Sequence, residues 1–205
     1  MSEKAKTSEW PAGLTLKMPA GLGLDDQIAF CIGNLVMAWA NCESMFYGIF
    51  SCIAGKAGTD NAAILWLGTK STKARVDIAL QLIESSEVKD ELKAEISHFA
   101  KEFDGITRTR NFFCHAYYKV DTVTLALSEA EAFAYDPRLK RYASNSRELS
   151  KATINELSDT IRRTVILNRD LWKPFLALRD QLNADHVPLP EPLPEFLRQL
   201  GPRPV

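Results

Sequence analysis

Residues 89–115 read KDELKAEISHFAKEFDGITRTRNFFCH, and this stretch decides how the rest of the chain is interpreted. Its apolar residues recur at helical spacing, and they are Leu92, Ile96, Phe99, Phe103, Ile106 and Phe113. At about 100° per residue, Arg110 falls inside the same apolar stripe. A charged side chain on an apolar face is costly unless it is paired. The stretch therefore predicts a long helix whose arginine is either paired with an acidic residue or lies in a polar cleft between two apolar surfaces.

Two more long helices are predicted before this one and one after it. They run from Asp25 or Asp26 to about Gly55, over about 71–84, and from the capping-box pattern at 153–156 to about Leu182. Pro174 is expected to kink the last of them. A short piece near 61–67 joins the first helix to the second. The helix over 89–115 is thus the third of four.

After His115 the spacing of apolar residues changes from helical to strand-like. Residues 117–127 are rich in Val, Thr, Leu and Tyr, and short strands are expected over 132–135 and 140–143. We expect a small antiparallel hairpin or a three-stranded flap over about 117–149, with a turn at Asp121-Thr122. The chain is therefore predicted to be mainly α, an up-down bundle of four long helices with this β insertion between the third and fourth.

The chain is expected to hold one folded domain between two irregular ends. Its 205 residues are enough for one hydrophobic core, which we place in a helical domain over 24–184. Residues 1–23 carry prolines and glycines without a steady period and are interpreted as a flexible arm. Residues 185–205 form a Pro-rich tail, extended in conformation, that either stays free or docks on the body or on a partner.

Composition restricts the classes of function. The formal net charge is −1, so any nucleic-acid binding must rest on a local basic patch. The longest apolar run, residues 28–40, is shorter than the ~20 residues of a membrane span. No signal peptide is apparent, so we expect a cytoplasmic protein without a membrane partner. The four cysteines have neither zinc-ligand nor disulfide-framework spacing, so we expect small reduced core residues; they are Cys31, Cys42, Cys52 and Cys114. No metal or cofactor is expected.

Arg110 and His115 are the candidate catalytic residues, with Asn111 and Glu43 in support. Glu43 lies near the apolar face of the first helix and is expected to pair with Arg110. Asn111 and His115 are four residues apart and share a face, whereas Arg110 and His115 are separated by about 140° around the helix axis. Either the long stem of Arg110 bends round, or two copies of the helix face each other across a two-fold axis. A histidine at the end of a helix either suits general acid or base catalysis or caps the last carbonyls of that helix.

A basic patch in the β insertion is the candidate RNA-binding surface. Its cations are Arg138, Lys140, Arg141 and Arg147. A basic flap beside a cleft attracts a phosphate backbone. A solvated loop explains the same residues equally well.

The segment from Arg110 to His115 resembles the signature of the HEPN superfamily. That signature is an arginine, four to six residues, and then a histidine, often with a polar residue directly after the arginine. Here four residues intervene and Asn111 is the polar follower. The order of helices over about 25–184 is also similar to that family, although the β insertion departs from its smallest members.

The resemblance implies a metal-independent endoribonuclease that acts as a homodimer, as a toxin or in defence against phage, with an antitoxin or regulatory protein as a further partner. On the same resemblance Arg110 holds the scissile phosphate, and His115 is the general base or acid. Asn111 orients the phosphate or the imidazole, and Glu43 positions Arg110. The product carries a 2′,3′-cyclic phosphate. Two alternatives stay open: a non-catalytic binding or scaffold module of HEPN type, and a regulator that binds a protein through its tail or flap.

Overall fold

The computed structural model describes residues 18–55, 59–136 and 141–187, and at positions 59, 60, 134–136, 141 and 142 it describes the backbone only. The elements in chain order are α1 (Leu24–Ala54), α2 (Thr59–Gly68), α3 (Thr72–Glu84), α4 (Asp90–His115), β1 (Tyr117–Val120), β2 (Leu127–Asp136), β3 (Arg141–Glu148) and α5 (Lys151–Gln181). The protein is therefore mainly helical with a small antiparallel sheet. Residues 1–17 of the expected arm and 188–205 of the expected tail lie outside the described residues.

Local sequence signals account for three of the helix ends. Gly55 ends α1 with a φ of 71°, a conformation that glycine adopts without strain. Ser71 caps α3 by accepting a hydrogen bond from the Ala74 N–H at 3.2 Å. The fourth predicted helix starts earlier than expected, because Ser150 is the N-cap and Thr153 is the third helical residue of a reciprocal capping box.

The short piece predicted near 61–67 is a helix of its own, α2, and it reverses the course of the chain. The Trp66 ring lies 5.8 Å from the Tyr47 ring, and Thr72 donates a hydrogen bond to Glu43. The chain thus travels back along α1 before α3 begins. The sequence predicted only a short connecting piece here, with no direction relative to α1.

As a result α1 and α5 run in the same direction. Cys31 Sγ lies 4.0 Å from Ser158 Oγ, and Cys42 Sγ donates to the Thr164 carbonyl at 3.3 Å. Further along both helices, a Cβ at Gly48 would lie 2.9 Å from the Phe175 ring, so a larger residue at this position would force the ring to shift. The parallel pair departs from the alternating directions predicted for the four long helices.

The β insertion is a three-stranded antiparallel sheet in the order β1-β2-β3, which confirms the three-stranded alternative. Tyr118 is paired with Ala130, and Ala130 with Arg147, so these side chains share one face of the sheet. That face is the inner one, because Ala130 is buried. The turn between β1 and β2 is longer than the expected two residues, since Asp121 Oδ1 accepts hydrogen bonds from the N–H groups of both Val123 and Thr124.

The core lies where α1, α4 and α5 meet. Its largest fully buried side chains include Phe46, Phe103 and Phe175. Three of the cysteines are buried free thiols in this core, as the sequence predicted, while Cys114 is partly buried. Burial raises the pKa of the Cys52 thiol to about 11. Such thiols fill space and stay protonated at neutral pH.

Candidate functional site

Arg110 lies against the aromatic face of Trp39. Its guanidinium carbon is 4.3 Å from the centroid of the indole, and Nη1 donates to Asn111 Oδ1 at 2.8 Å. Nε is buried and has no hydrogen-bond partner among the described residues. A cation over an indole gains about 0.5–2 kcal/mol. The structure therefore stabilises this charge with an aromatic ring, where the sequence predicted an acidic partner or a polar cleft.

The Trp39 ring is held in place by α4 itself. Its Nε1–H donates to Thr107 Oγ1 at 2.9 Å, and both groups are buried. The ring also stacks on Phe103, with centroids 5.8 Å apart and planes 17° from parallel. Thr107 precedes Arg110 by three residues, almost one helical turn. The same turns of α4 therefore fix the indole and present the arginine to it.

Glu43 does not contact Arg110, and the predicted pair is replaced by another. Glu43 Oε1 accepts hydrogen bonds from Arg75 Nη1 and from Thr72 Oγ1, each at 2.9 Å. Both members of the ion pair are largely buried, with exposed side-chain fractions of 19% for Arg75 and 17% for Glu43. Glu43 is one turn beyond Trp39 and faces α3, so the nearest cation comes from α3. Helical spacing alone does not predict which helix packs against the face of α1 that carries Glu43.

The structure brings Asn111 into contact with Arg110 but leaves His115 apart from it. Asn111 and His115 are exposed, and Arg110 is partly buried. His115 is the last residue of α4, because Ala116 is already extended and leads into β1. The carbonyl of Phe113 accepts a hydrogen bond from the Tyr118 hydroxyl at 2.5 Å. The sheet therefore supplies a cap for this helix end, and the imidazole faces solvent.

Cys114 is an additional group at the site that the motif did not single out. It follows Arg110 by four residues, so the two lie on the same side of α4. Burial raises the pKa of the Cys114 thiol, and the charge of Arg110 acts in the opposite direction. Burial also raises the pKa of Tyr118 to about 12. Helical spacing from Arg110 is the signal that could have found this cysteine.

Arg147, one of the four predicted RNA-binding cations, fastens the sheet to the helices. Its guanidinium carbon lies 4.2 Å from the centroid of the Phe112 ring, and Nη1 donates to Glu156 Oε1 at 2.7 Å. Arg138 and Lys140 lie outside the described residues. Arg141 is the first residue of β3, and its backbone alone is described. The described portion of the patch therefore serves attachment between β3, α4 and α5.

The outer face of the sheet is not basic over the residues whose side chains are described. Lys119 Nζ lies 3.1 Å from Glu129 Oε2 and 2.9 Å from Glu131 Oε2. The pKa of Glu131 is lowered by its hydrogen bonds with Lys119 and Ser144. The register places Glu148 opposite Glu129 on the same face. Three carboxylates against one ammonium group do not favour a phosphate backbone there.

Two properties of the described residues bear on the class of site. These residues contain no group of three or more histidine, cysteine, aspartate or glutamate side chains arranged to hold a metal ion. Across the same ranges, every helix is too short or too polar to traverse a lipid bilayer.

Comparison with protein-family models, with curated proteins and with solved structures finds no match for this chain.

Proposed function

We propose that this protein is a metal-independent endoribonuclease of HEPN type. Arg110 binds the scissile phosphate, and His115 accepts the proton of the attacking 2′-hydroxyl. The 2′ oxygen then bonds to phosphorus while the bond to the 5′ oxygen breaks, and a protonated imidazole supplies the proton to that leaving oxygen. The products are a 2′,3′-cyclic phosphate and a 5′-hydroxyl. This chemistry needs only positioning and charge stabilisation.

The observation that carries the proposal is the state of Arg110. The guanidinium is oriented by the Trp39 ring below it and by Asn111 beside it, with a buried Nε–H that has no partner among the described residues. An oriented, partly exposed guanidinium that no described carboxylate neutralises suits an anionic ligand. Asn111 occupies the position from which it orients the arginine.

Because Arg110 points inward and His115 is exposed, we assign the working site to a homodimer. A two-fold axis near the C-terminal end of α4 brings the arginine of one copy toward the histidine of the other. The proposal includes the fold: α1, α3, α4 and α5 form a HEPN-type bundle, and the sheet is inserted after α4. Action in the cytoplasm as a toxin or defence effector, restrained by an antitoxin or other regulatory protein, belongs to the same proposal.

The test is cleavage of single-stranded RNA in the presence of EDTA. Arg110→Ala and His115→Ala are each expected to abolish cleavage with the thermal melt retained, and Arg162→Ala on the solvent face of α5 is the matched control. Mixing the two inactive variants distinguishes the dimer model, since random exchange restores about a quarter of parental activity if each site uses both chains. Undiminished cleavage by both single variants would contradict the mechanism.

A second candidate function is a non-catalytic binding module of HEPN type. The observation that favours it is the exposure of His115 at the end of α4, since a general base is ordinarily oriented by a further group. This alternative predicts that the parent binds RNA or protein and leaves RNA intact under all conditions. Deleting residues 188–205 tests the related regulator, because a partner bound through the tail is then lost in a pull-down.

A further inference from the structure

A groove between α3 and α4 lies beside the residues that hold Trp39. It encloses about 240 Å³. Apolar side chains form its floor, among them Val76, Leu80 and Phe103, and its lining reaches Thr107. This volume is below the ~300–1,000 Å³ of pockets for drug-sized ligands. The groove therefore suits one small group more than a large cofactor.

The rim of the groove carries more positive than negative charge. Lys73 Nζ lies 3.2 Å from Asp77 Oδ2, and Arg108 Nη2 lies 3.1 Å from Asp104 Oδ2. Lys101 is a third, exposed cation on the same rim. The Lys73 and Arg108 side chains are 67% and 77% exposed, so their ion pairs contribute only about 0.2–1 kcal/mol. Both cations are free to exchange a carboxylate for a phosphate.

One face of α4 joins this rim to the proposed site. Asp104, Arg108, Asn111 and His115 follow the spacing i, i+4, i+7 and i+11, so they form a continuous polar stripe. At 1.5 Å per residue, the distance along the axis from Arg108 to His115 is about 10 Å. A polymer that is bound at His115 and follows this stripe would therefore reach the groove within a few monomers.

We infer that the groove between α3 and α4 binds a nucleotide of single-stranded RNA next to the scissile phosphate. The inference rests on the proposed function, because it supplies the path of the strand that Arg110 and His115 cut. The base lies on the apolar floor, and Lys73 and Arg108 contact phosphate oxygens. The carboxylates of Asp77 and Asp104 accept hydrogen bonds from amino groups of the base or from ribose hydroxyls.

The charges elsewhere on the described surface favour this path over the sheet. The outer sheet face presents Glu129, Glu131 and Glu148 around Lys119, and Arg147 is occupied by Phe112 and Glu156. Of the surfaces whose side chains are described next to the motif, the groove combines an apolar floor with an excess of cations. A base and a phosphate require that combination.

The direct test uses a short single-stranded RNA in which every 2′-hydroxyl is methylated, so that binding is measured without cleavage. Arg108→Glu and Lys73→Glu are each expected to weaken binding about tenfold at low salt, and each should reduce the salt dependence by roughly 0.7 in the logarithmic slope. Arg162→Glu is the matched control, since Arg162 also pairs with an aspartate on its own helix, at 3.1 Å. Fluorescence anisotropy gives the affinities, and circular dichroism verifies folding. Parental affinity in both groove variants would overturn the inference.

The experiments distinguish failure of the groove proposal from failure of the ribonuclease proposal. A parent that binds the methylated RNA through the groove but cuts no RNA contradicts the ribonuclease and leaves the groove standing. A parent that cuts RNA while Arg108→Glu and Lys73→Glu bind normally contradicts the groove alone. A parent that neither binds nor cuts contradicts both.

Discussion

The guanidinium of Arg110 lies 4.3 Å above the indole of Trp39, and that indole is fixed by a 2.9 Å hydrogen bond to Thr107. The three residues form a chain in which a hydroxyl of α4 orients a ring of α1, and the ring then supports an arginine of α4. The arrangement keeps a cation at the edge of the core, and no carboxylate of the described residues contacts it. The charge of Arg110 is therefore stabilised by the Trp39 ring and by Asn111.

Replacing Thr107 tests this chain. Thr107→Val keeps the shape of the side chain but leaves the buried indole N–H without an acceptor, so the free energy of unfolding should fall by about 1–3 kcal/mol. Urea denaturation measures the change. Thr107→Ser keeps the hydroxyl and should retain most of the stability. A valine variant as stable as the parent would show that the indole N–H has another acceptor.

The partner of Glu43 can be identified by double-mutant cycles. Substituting glutamine at Glu43, Arg75 and Arg110, singly and in pairs, should give a coupling of about 0.5–3 kcal/mol between Glu43 and Arg75. Coupling between Glu43 and Arg110 should stay within about 0.5 kcal/mol, since the two make no contact. The free energies come from denaturant melts. A larger coupling to Arg110 than to Arg75 would restore the pairing expected from the sequence.

Arg147 should control how firmly the sheet is attached. Arg147→Ala removes both the stacking on Phe112 and the ion pair with Glu156, so local stability of the sheet should fall by about 0.5–2 kcal/mol. Arg147→Lys keeps the charge but not the planar stack, so it should rescue only part of the loss. Amide hydrogen exchange is expected to accelerate in β2 and β3 and to stay unchanged in α1. Equal acceleration in α1 would mean that the whole fold, and not the sheet, depends on Arg147.

The reactivity of Cys114 reports the charge of Arg110. Burial raises the pKa of this thiol, and Arg110 lowers it in opposition. Removing the charge in Arg110→Gln should therefore raise the pKa further and move the alkylation profile with iodoacetamide toward higher pH. Peptide mass spectrometry separates Cys114 from Cys52, whose opposing charge is Arg179 and whose profile should not move. A profile for Cys114 that stays in place would place the two groups too far apart to interact.

Much of the fold is encoded in local signals along the chain. Helical spacing placed Arg110 on the buried side of its helix, and Gly55 and Ser71 marked helix ends. Strand-forming residues after His115 predicted the sheet. These features depend on neighbours a few residues away, which a sequence displays directly.

The contacts that the sequence did not disclose are those between distant elements. Glu43 lies close to the apolar face of α1, but only the position of α3 shows that its partner is Arg75. Arg147 reads as one more cation of a basic stretch until the register of β2 and β3 turns it toward Phe112. The parallel course of α1 and α5 depends on the short return through α2. In each case the deciding information is the identity of the neighbouring element.

The parallel pairing of α1 and α5 also bears on how the chain is made. Cys31 and Ser158 meet across a separation of 127 residues, so the two long helices join only after α5 has been synthesised. Contacts between such remote segments slow folding, because the intervening chain must first be brought into place. During synthesis the apolar side of α1 stays exposed until α5 has been made. A chaperone that covers this surface during that interval would raise the yield of native protein.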